Sequence, residues 1–283
     1  MHSSKPMHQR KRAAKREAGE CKRVERVAII GYGAIGSEIG KGLESGAVPN
    51  HRLLAIMTRS PPESSLGKAV HWTAKLDELL ALAPDIVIEA AGAEVLRAVA
   101  IPVLRSGVDL MALSVAAFAN RDFQRESEAA LTATDARLFI PSGAMAGLDA
   151  ISAAMSAGVT RVAMTQRKPP AALLSPEEAR NVTAEMVLSQ GSAREAALKL
   201  PKNSNIAAAL ALCGPGLDNV TVRVVADPSV TRNTMELLAE GVFGTLFVKL
   251  ENEPTDNKRT SRLTAMSVIA SLKRRTGKFI CPA

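Results

Sequence analysis

Three glycines near the start of the chain have the spacing of a loop that holds a phosphate group. In the stretch VAIIGYGAIG they are Gly31, Gly33 and Gly36, directly after an apolar run and at the start of a helical pattern. Gly31 permits a tight turn, Gly33 lets a pyrophosphate approach the backbone, and Gly36 lets the helix pack on the sheet. The N-terminus of that helix offers free N–H groups and a partial positive charge. The stretch predicts a dinucleotide-binding loop, and a purely structural glycine turn is the alternative.

The end of the second predicted strand selects between the two nicotinamide dinucleotides. An acidic side chain there hydrogen-bonds the ribose 2′-hydroxyl of NAD, but after Met57 the sequence reads Thr58-Arg59-Ser60, with no acid. Arg59 and the two neighbouring hydroxyl groups can instead bind a 2′-phosphate through charge-assisted hydrogen bonds. This favours NADP over NAD, and use of both stays open. The alternative is that Arg59 is an exposed loop cation and that NAD binds without an acidic partner.

A parallel sheet is expected to position these residues, because apolar strands and helical stretches alternate from Val24 onward. The predicted strands are 26–30, 53–57, 85–90, 109–115 and 137–140. The predicted helices between them are 34–45, 74–83, 93–106 and 120–134. Five strands joined by right-handed crossovers form a doubly wound α/β domain of the Rossmann type.

A second domain, of the α+β type with an antiparallel sheet, is predicted after Pro141. Its predicted strands are 160–167, 181–189, 219–226 and a pair within 234–252, with helices at 192–200 and 205–213. We expect a last helix near 260–274 to pack back on the domain junction, because its apolar residues have helical spacing. The expected division is a disordered basic tail (1–23), a dinucleotide-binding domain (24–141), a substrate and dimerisation domain (142–256) and the C-terminal helix (257–283).

The net charge of +8 is concentrated at the N-terminus. Residues 1–26 hold nine Lys or Arg against three Glu, which leaves the rest of the chain close to neutral. We expect a solvated tail here, because such a stretch cannot bury enough apolar surface to fold. Binding of nucleic acid or of a membrane surface through this tail is the alternative.

Cysteine usage and hydropathy narrow the class of protein further. No apolar run approaches the roughly 18 residues of a membrane span, and the N-terminal stretch lacks the apolar segment of a secretory signal. The three cysteines, Cys21, Cys213 and Cys281, form no CxxC pair and have no histidines at zinc spacing. The sequence therefore predicts a cytoplasmic protein without a metal site, whose partners are small molecules rather than nucleic acid or membrane.

Five motifs in the C-terminal half are more specific than turn chemistry requires. They read PSGAMAGLD at 141–149, RKPP at 167–170, PKNSN at 201–205, VADP at 225–228 and NKRTS at 257–261. In order and spacing, from about Val24 to the C-terminus, the chain resembles the L-aspartate dehydrogenase family. The resemblance implies a two-domain fold, usually as a homodimer or larger assembly. It also implies reversible hydride transfer between the α-carbon of aspartate and nicotinamide, through an imine that water converts to oxaloacetate and ammonia.

The family's motifs assign further site residues. Ala117 in SVAAF and Asn205 in PKNSN fall where the family contacts the dinucleotide, and Lys168 and the 142–149 loop fall along the substrate cleft. Each has a structural alternative, with Asn205 as a helix cap, Lys168 as a surface charge and Asp149 as a partner of backbone amides. The predicted cofactor contacts are Gly31, Gly33, Ala34, Ile35, Gly36, Thr58, Arg59, Ser60, Ala91, Ala117 and Asn205. The residues predicted at the catalytic position are Lys168, Asn233 and Met235.

A departure from the family lies just after VADP. The family has asparagine, one residue, and then a histidine taken as the catalytic acid or base, whereas Asn233 is followed here by Thr234 and Met235. A thioether cannot carry a proton near neutral pH. A second departure is Lys258-Arg259, where the family has proline and then lysine. The four histidines all lie in the tail or the first predicted domain, at His2, His8, His51 and His71.

Two explanations stay open for the missing imidazole. In the first, the protein transfers hydride to or from L-aspartate or a related amino acid or imine, with Lys168, Glu236 or a water as the proton carrier. In the second, the site has become a nucleotide-binding or regulatory module without turnover. The retained glycine loop and cleft motifs favour the enzyme.

The arginine after the second strand gives the first testable prediction. We expect NADP(H) to bind more tightly than NAD(H), and Arg59→Ala to weaken NADP(H) binding selectively, because the guanidinium pairs with the 2′-phosphate. Calorimetric titration of both dinucleotides measures this difference. Equal or tighter binding of NAD(H) to the wild type contradicts the role given to Arg59.

Overall fold

Two β-sheets with helices on their faces make up the residues that the structure describes. The structure is a computed structural model that describes residues 24–60, 69–253 and 261–280. The predicted basic tail, 1–23, and the Lys258-Arg259 departure lie outside these ranges. Within them, no helix is both long and apolar enough to cross a bilayer.

Sheet A is parallel throughout, with the strand order β3-β2-β1-β4-β5-β6. Its strands are β1 (Glu25–Ile30), β2 (His51–Met57), β3 (His71–Thr73), β4 (Ile86–Glu89), β5 (Asp109–Ala112) and β6 (Leu138–Phe139). The helices between them are α1 (Ala34–Glu44), α2 (Leu76–Ala81), α3 (Ala93–Arg105) and α4 (Arg121–Thr132). This confirms the predicted doubly wound α/β architecture.

Sheet A differs from its prediction in two strands. The sequence did not predict β3, because three residues are too few to show an alternating pattern. The strand predicted over 109–115 ends at Ala112, because a buried 3-10 turn, Val115–Ala119, begins shortly after it. This turn, named the wall turn below, is fully apolar, so its sequence cannot be told from a continuing buried strand.

Sheet B has the order β11-β10-β7-β9-β8. Its strands are β7 (Val159–Lys168), β8 (Met186–Ser192), β9 (Thr221–Ala226), β10 (Asn233–Gly241) and β11 (Gly244–Asn252). The associated helices are α5 (Leu148–Ala157), α6 (Pro170–Leu173), α7 (Pro176–Arg180), α8 (Ala193–Lys199) and α9 (Asn205–Cys213), with a 3-10 turn at Pro201–Asn203. The sheet is mixed rather than antiparallel as predicted, since β7 and β9 run parallel.

The strand predicted over 181–189 begins only at Met186. The residues before it follow α7, whose start is fixed by a capping box between Ser175 and Glu178. The side chain of Ser175 accepts from the Glu178 N–H, and the Glu178 carboxylate accepts from the Ser175 N–H. Serine, two residues and glutamate is a helix-start signal, and the sequence analysis did not assign the short helix that it begins.

The two halves of the chain share contacts around the wall turn. Helices α8 and α9 both contact it. The buried Arg194 of α8 donates to the carbonyl oxygens of Phe118 and Ala119, at 3.3 and 2.7 Å, and also pairs with Asp218 at 2.8 Å. A buried guanidinium whose donors are engaged in this way holds the wall turn against sheet B.

The last helix, α10 (Arg262–Thr276), covers one face of sheet A. Its buried Val268 and Leu272 belong to the same apolar cluster as Val27 and Ile29 of β1. It crosses α1 so closely that a Cβ built on Gly42 would lie 2.7 Å from the Ile269 Cδ1 atom. The apolar periodicity predicted such a helix, and its main packing surface is sheet A and α1.

Charged groups at the end of α10 fasten it to the beginning of sheet A. The Arg275 side chain is 7% exposed and pairs with Glu25 of β1 and Asp109 of β5, both at 2.7 Å. His51 approaches the same Glu25 carboxylate at 3.5 Å. Burial alone would raise the pKa of Glu25, but hydrogen bonds from His51 and Arg275 and the charge of Arg275 bring it down to about 2.

This low pKa predicts a pH-dependent contribution to stability. A carboxyl group whose pKa is lower in the folded than in the unfolded state stabilises the fold above its unfolded value of about 4.5, and the contribution is lost as the pH falls towards 2. We expect Glu25→Gln to lower the free energy of unfolding at pH 7 by about 1 to 3 kcal/mol.

Urea unfolding between pH 7 and pH 3 measures this contribution. The difference between wild type and Glu25→Gln should shrink steadily below pH 4.5. Glu38→Gln, at an exposed carboxylate on α1, is the matched control and should change little. A difference for Glu25→Gln that is constant with pH would contradict the ion-pair explanation.

Candidate functional site

A cavity of about 940 Å³ lies between the two halves of the chain. The N-terminal half contributes the segments that follow β4 and β5, including Ala91 and the wall turn. The C-terminal half contributes one face of sheet B and the start of α9. The carboxyl ends of parallel strands are where open α/β sheets bind ligands, so this cavity is the candidate active site.

The glycine loop at the start of α1 has room for a phosphate. Gly31 has a φ of +95°, and a Cβ there would lie 2.7 Å from the Ala90 carbonyl oxygen. A Cβ on Gly36 would lie 2.1 Å from the Gly31 oxygen, whereas one on Gly33 would meet nothing within 4 Å. The first turn of α1 has no side-chain cap and no acidic residue, which leaves its N–H groups available to an anion. These features fit the pyrophosphate of a dinucleotide.

The end of β2 lies beside this loop, since the Gly31 N–H donates to the Met57 carbonyl at 2.9 Å. Thr58 is half-buried, and its N–H donates to Thr73 of β3. Arg59 and Ser60 are exposed. Their position next to the glycine loop is compatible with a contact to the adenosine ribose, and that contact stays a prediction.

A buried carboxylate that the sequence analysis missed organises the wall of the cavity. Glu89, at the end of β4, is fully buried and accepts hydrogen bonds from the Ala91 and Gly92 N–H groups at 2.7 and 2.8 Å. It also accepts from the Ser114 N–H and hydroxyl, at 3.1 and 2.9 Å. Burial raises the pKa of Glu89 even though these hydrogen bonds lower it. An acid at the end of the apolar run IVI was the available signal.

Asn205 joins the second half to the cofactor side of the cavity. Its Oδ1 accepts from the Ala116 N–H at 3.0 Å, next to the buried Ala117. It is the first residue of α9, after the N-cap position at Ser204, so its alternative reading as a helix cap is wrong. Asn205 thus combines a hydrogen bond to the wall turn with a place in the lining of the cavity.

Alternate residues of β7 and β10 form the sheet B wall of the cavity. Gln166 and Lys168 lie two apart on β7, and Asn233 and Met235 lie two apart on β10. Gln166 and Met235 are directly paired across the two strands. Because side chains two apart on a strand share a face, all four point to the same side of the sheet.

Lys168 is buried, being 8% exposed, so its alternative reading as a surface charge is wrong. Its ammonium group donates to Asn203 Oδ1 at 3.0 Å. Burial lowers the pKa of Lys168 to about 8. An amine with this pKa is present in both protonation states near neutral pH, as proton transfer requires.

Met235 is 1% exposed, lines the cavity and is flanked by Gln166 and Leu250 on the neighbouring strands. Asn233, which is paired with Asn252 across β10 and β11, also lines the cavity. Glu236 follows Met235 and therefore points to the opposite face of the sheet, where its charge acts on Arg167. Glu236 is thus badly placed to serve as the proton carrier.

The 142–149 loop contributes only its first part to the cavity. Ser142, Gly143 and Ala144 line it, and the Ala144 carbonyl accepts from Asn252 Nδ2 at 3.0 Å. Asp149 is exposed in the first turn of α5, where its charge complements the positive helix end. It is therefore neither a cleft residue nor a buried partner of amides, and the expectation for this end of the loop was wrong.

The structure brings together part of the predicted site. The predicted residues that line the cavity are Ile35, Ala91, Ala117, Lys168, Asn205, Asn233 and Met235. Those that lie outside its lining are Gly31, Gly33, Ala34, Gly36, Thr58, Arg59 and Ser60. The second set surrounds the glycine loop, at the expected position of the pyrophosphate and adenosine rather than of the reacting groups.

Adding one methyl group to the glycine loop should weaken cofactor binding at Gly33 but destabilise the fold at Gly36. Gly33→Ala should reduce dinucleotide affinity at least tenfold and change stability by less than about 1 kcal/mol, because the new Cβ occupies only the open space above the helix. Gly36→Ala should destabilise the apo protein by about 1 to 3 kcal/mol, because its Cβ overlaps the Gly31 carbonyl.

Thermal unfolding and fluorescence titration with NADPH separate the two effects. Gly36→Ala serves as the control for a general disturbance of the loop. Unchanged NADPH binding by Gly33→Ala would show that the phosphate does not approach this residue.

Comparison with known proteins covers both halves of the chain. A family model described as "Aspartate dehydrogenase, C-terminal" matches residues 149–275, and one described as "Homoserine dehydrogenase, NAD binding domain" matches residues 31–141. The chain is 34% identical to L-aspartate dehydrogenase of Methanosarcina mazei, over 88% of this chain and 96% of that protein. It is 36% identical to L-aspartate dehydrogenase 2 of Bordetella bronchiseptica, over 90% and 98%.

A solved structure agrees with these sequence matches. Aspartate dehydrogenase from Thermotoga maritima superposes with a TM-score of 0.72 at 26% identity, covering 90% of this chain and 98% of that one. The resemblance found in the motifs is confirmed. The chain belongs to the L-aspartate dehydrogenase family.

Proposed function

We propose that the protein is an NAD(P)-dependent amino-acid dehydrogenase that acts on L-aspartate or a closely related amino acid. The observation that carries this proposal is the cavity itself, which extends from the wall beside the glycine loop to the buried Lys168 on sheet B. Such a cavity can place a dinucleotide and a small charged substrate against each other.

The nicotinamide supplies the hydride acceptor in one direction and the hydride donor in the other. In the oxidative direction, the substrate α-carbon loses a hydride and its amino group loses a proton, which leaves an imine. Water adds to the imine carbon and ammonia leaves, giving the 2-oxo acid. The protein has to bind the carboxylate groups, orient the α-carbon and move protons to and from the nitrogen.

Lys168 is the residue best suited to the proton transfer. It lines the cavity, Asn203 orients its ammonium group, and its pKa of about 8 lets it exchange protons near neutral pH. In the protonated form it also attracts a substrate carboxylate. This assignment makes Lys168 a less effective proton carrier than the family's histidine, in a cavity where Met235 cannot carry a proton.

Arg59 supports NADP(H) as the preferred form of the cofactor, since none of the three residues directly after β2 is an acid that could bind a ribose 2′-hydroxyl.

We also propose a homodimer. Phe247 on the edge strand β11 is 61% exposed, and an apolar side chain on an open strand edge is a feature of association surfaces. Sedimentation equilibrium tests the dimer. A cytoplasmic location stays a prediction from the sequence.

The proposed function is tested by following NADPH oxidation with a panel of 2-oxo acids in the presence of ammonia. Oxaloacetate should give turnover, at a rate about 10² to 10⁴-fold below that expected with a positioned imidazole. Met235→His should raise the turnover of L-aspartate at least tenfold, or about 1.4 kcal/mol of barrier, because the cavity face around residue 235 is retained.

Leu250→His is the matched control, because it introduces the same imidazole on the neighbouring strand, directly opposite Met235. A gain from both variants would indicate a nonspecific effect. A protein that binds NADPH but oxidises it with no member of the panel, before or after Met235→His, would instead be a nucleotide-binding module without turnover. Robust aspartate oxidation by the wild type would show that Lys168 or another group fully replaces the imidazole.

A further inference from the structure

One side chain in the cavity has hydrogen-bonding groups that the fold leaves without partners. Gln166 is 1% exposed and lines the cavity, and neither its amide oxygen nor its amide nitrogen has a hydrogen-bond partner among the residues that the structure describes. Buried polar groups are nearly always hydrogen-bonded, because an unmet donor or acceptor costs free energy of folding. An amide held in this way is a candidate for binding a ligand.

The neighbours of Gln166 explain why the sheet cannot satisfy it. Across β10 it faces Met235, and across β9 it faces Val224. Neither side chain is a strong hydrogen-bonding group. Lys168, two residues along the same strand, directs its ammonium group to Asn203. The amide of Gln166 is therefore surrounded by apolar groups within the sheet, and the cavity is the remaining direction in which it can find a partner.

The chemistry of the amide defines the ligand. A primary amide presents one acceptor and one donor side by side. Its complement is a group with a donor and an acceptor close to each other, which the amino nitrogen and a carboxylate oxygen of an α-amino acid provide on either side of the Cα–C bond. The corresponding 2-oxo acid has two acceptors and no donor at this end, so it satisfies the amide less well.

We propose that Gln166 determines specificity for the amino form of the substrate. Its Nε2 donates to a carboxylate oxygen of the amino acid, and its Oε1 accepts from the amino or imino nitrogen. This inference rests on the proposed function, because it places the substrate in the same cavity. It assigns Gln166 to holding the α-carbon substituents and leaves the proton transfer to Lys168.

The test replaces the amide by a side chain of similar size without polar hydrogens. Gln166→Met removes both unmet groups, so the apo protein should unfold at the same temperature as the wild type or a higher one. The same change should raise the Kd of L-aspartate at least tenfold in the presence of saturating NADPH, a reduced cofactor with which the amino acid cannot react. The Kd of NADPH should not change. A residue with only a structural role would not give unchanged or greater stability together with weaker binding.

A second ligand and a matched variant serve as controls for this experiment. Succinate has the two carboxylates of aspartate and lacks the amino group, so the wild type should prefer aspartate and Gln166→Met should lose most of that preference. Gln190→Met makes the same substitution at an exposed position on β8 of the same sheet, and it should alter neither stability nor aspartate binding.

Each outcome decides between the inference and the function on which it rests. Aspartate binding that Gln166→Met leaves unchanged would overturn the inference and leave the proposed function standing. A lower unfolding temperature for the apo variant would also overturn it, because the amide would then be satisfied inside the fold. A wild type that binds NADPH but not L-aspartate would refute the proposed substrate, and this inference with it.

Discussion

The candidate site depends on one buried carboxylate. Glu89 gathers four hydrogen bonds from the backbone after β4 and from Ser114 after β5. Without these bonds, the N–H groups of two neighbouring loops would be buried without partners, which costs free energy at each group. The wall turn begins directly after Ser114, and Asn205 and Arg194 attach the second half of the chain to that turn. The separation of the two cavity walls therefore follows from where Glu89 holds the ends of β4 and β5.

The cavity wall on sheet B contains buried polar side chains that have few hydrogen-bond partners among the described residues. The ammonium group of Lys168 is hydrogen-bonded to the neutral amide oxygen of Asn203. Because this partner carries no negative charge, burial is the main influence on the pKa of Lys168 and lowers it. Gln166 has no hydrogen-bond partner within the described part of the chain, and Met235, paired with it across the strands, cannot titrate. At a buried surface of this kind, the electrostatic interaction with a charged substrate is stronger than it would be in water. The cavity is thus strongly polarising although Met235 carries no charge.

The sequence predicted the fold class and the phosphate loop well, because both depend on local patterns. Gly36 is required by a contact with the nearby Gly31, Gly31 is favoured by its own positive φ, and most strands of sheet A are apolar runs. The parallel pairing of β7 with β9 was not predictable in this way, since an alternating pattern fits either direction. Glu89 and Gln166 were missed for a related reason. Their roles arise from neighbours far along the chain, such as Ser114 and Met235, which only the assembled sheets bring close.

The position of α10 has a consequence for how the protein forms in the cell. One face of sheet A is covered only in part by α1 until α10 packs on it, although all six strands of that sheet precede residue 140. During synthesis on the ribosome, the N-terminal half therefore emerges with part of an apolar face exposed, because the helix that completes its cover follows the whole of sheet B. Contacts over such long sequence separations form slowly. The core on this face of sheet A is consequently completed only after sheet B has been synthesised.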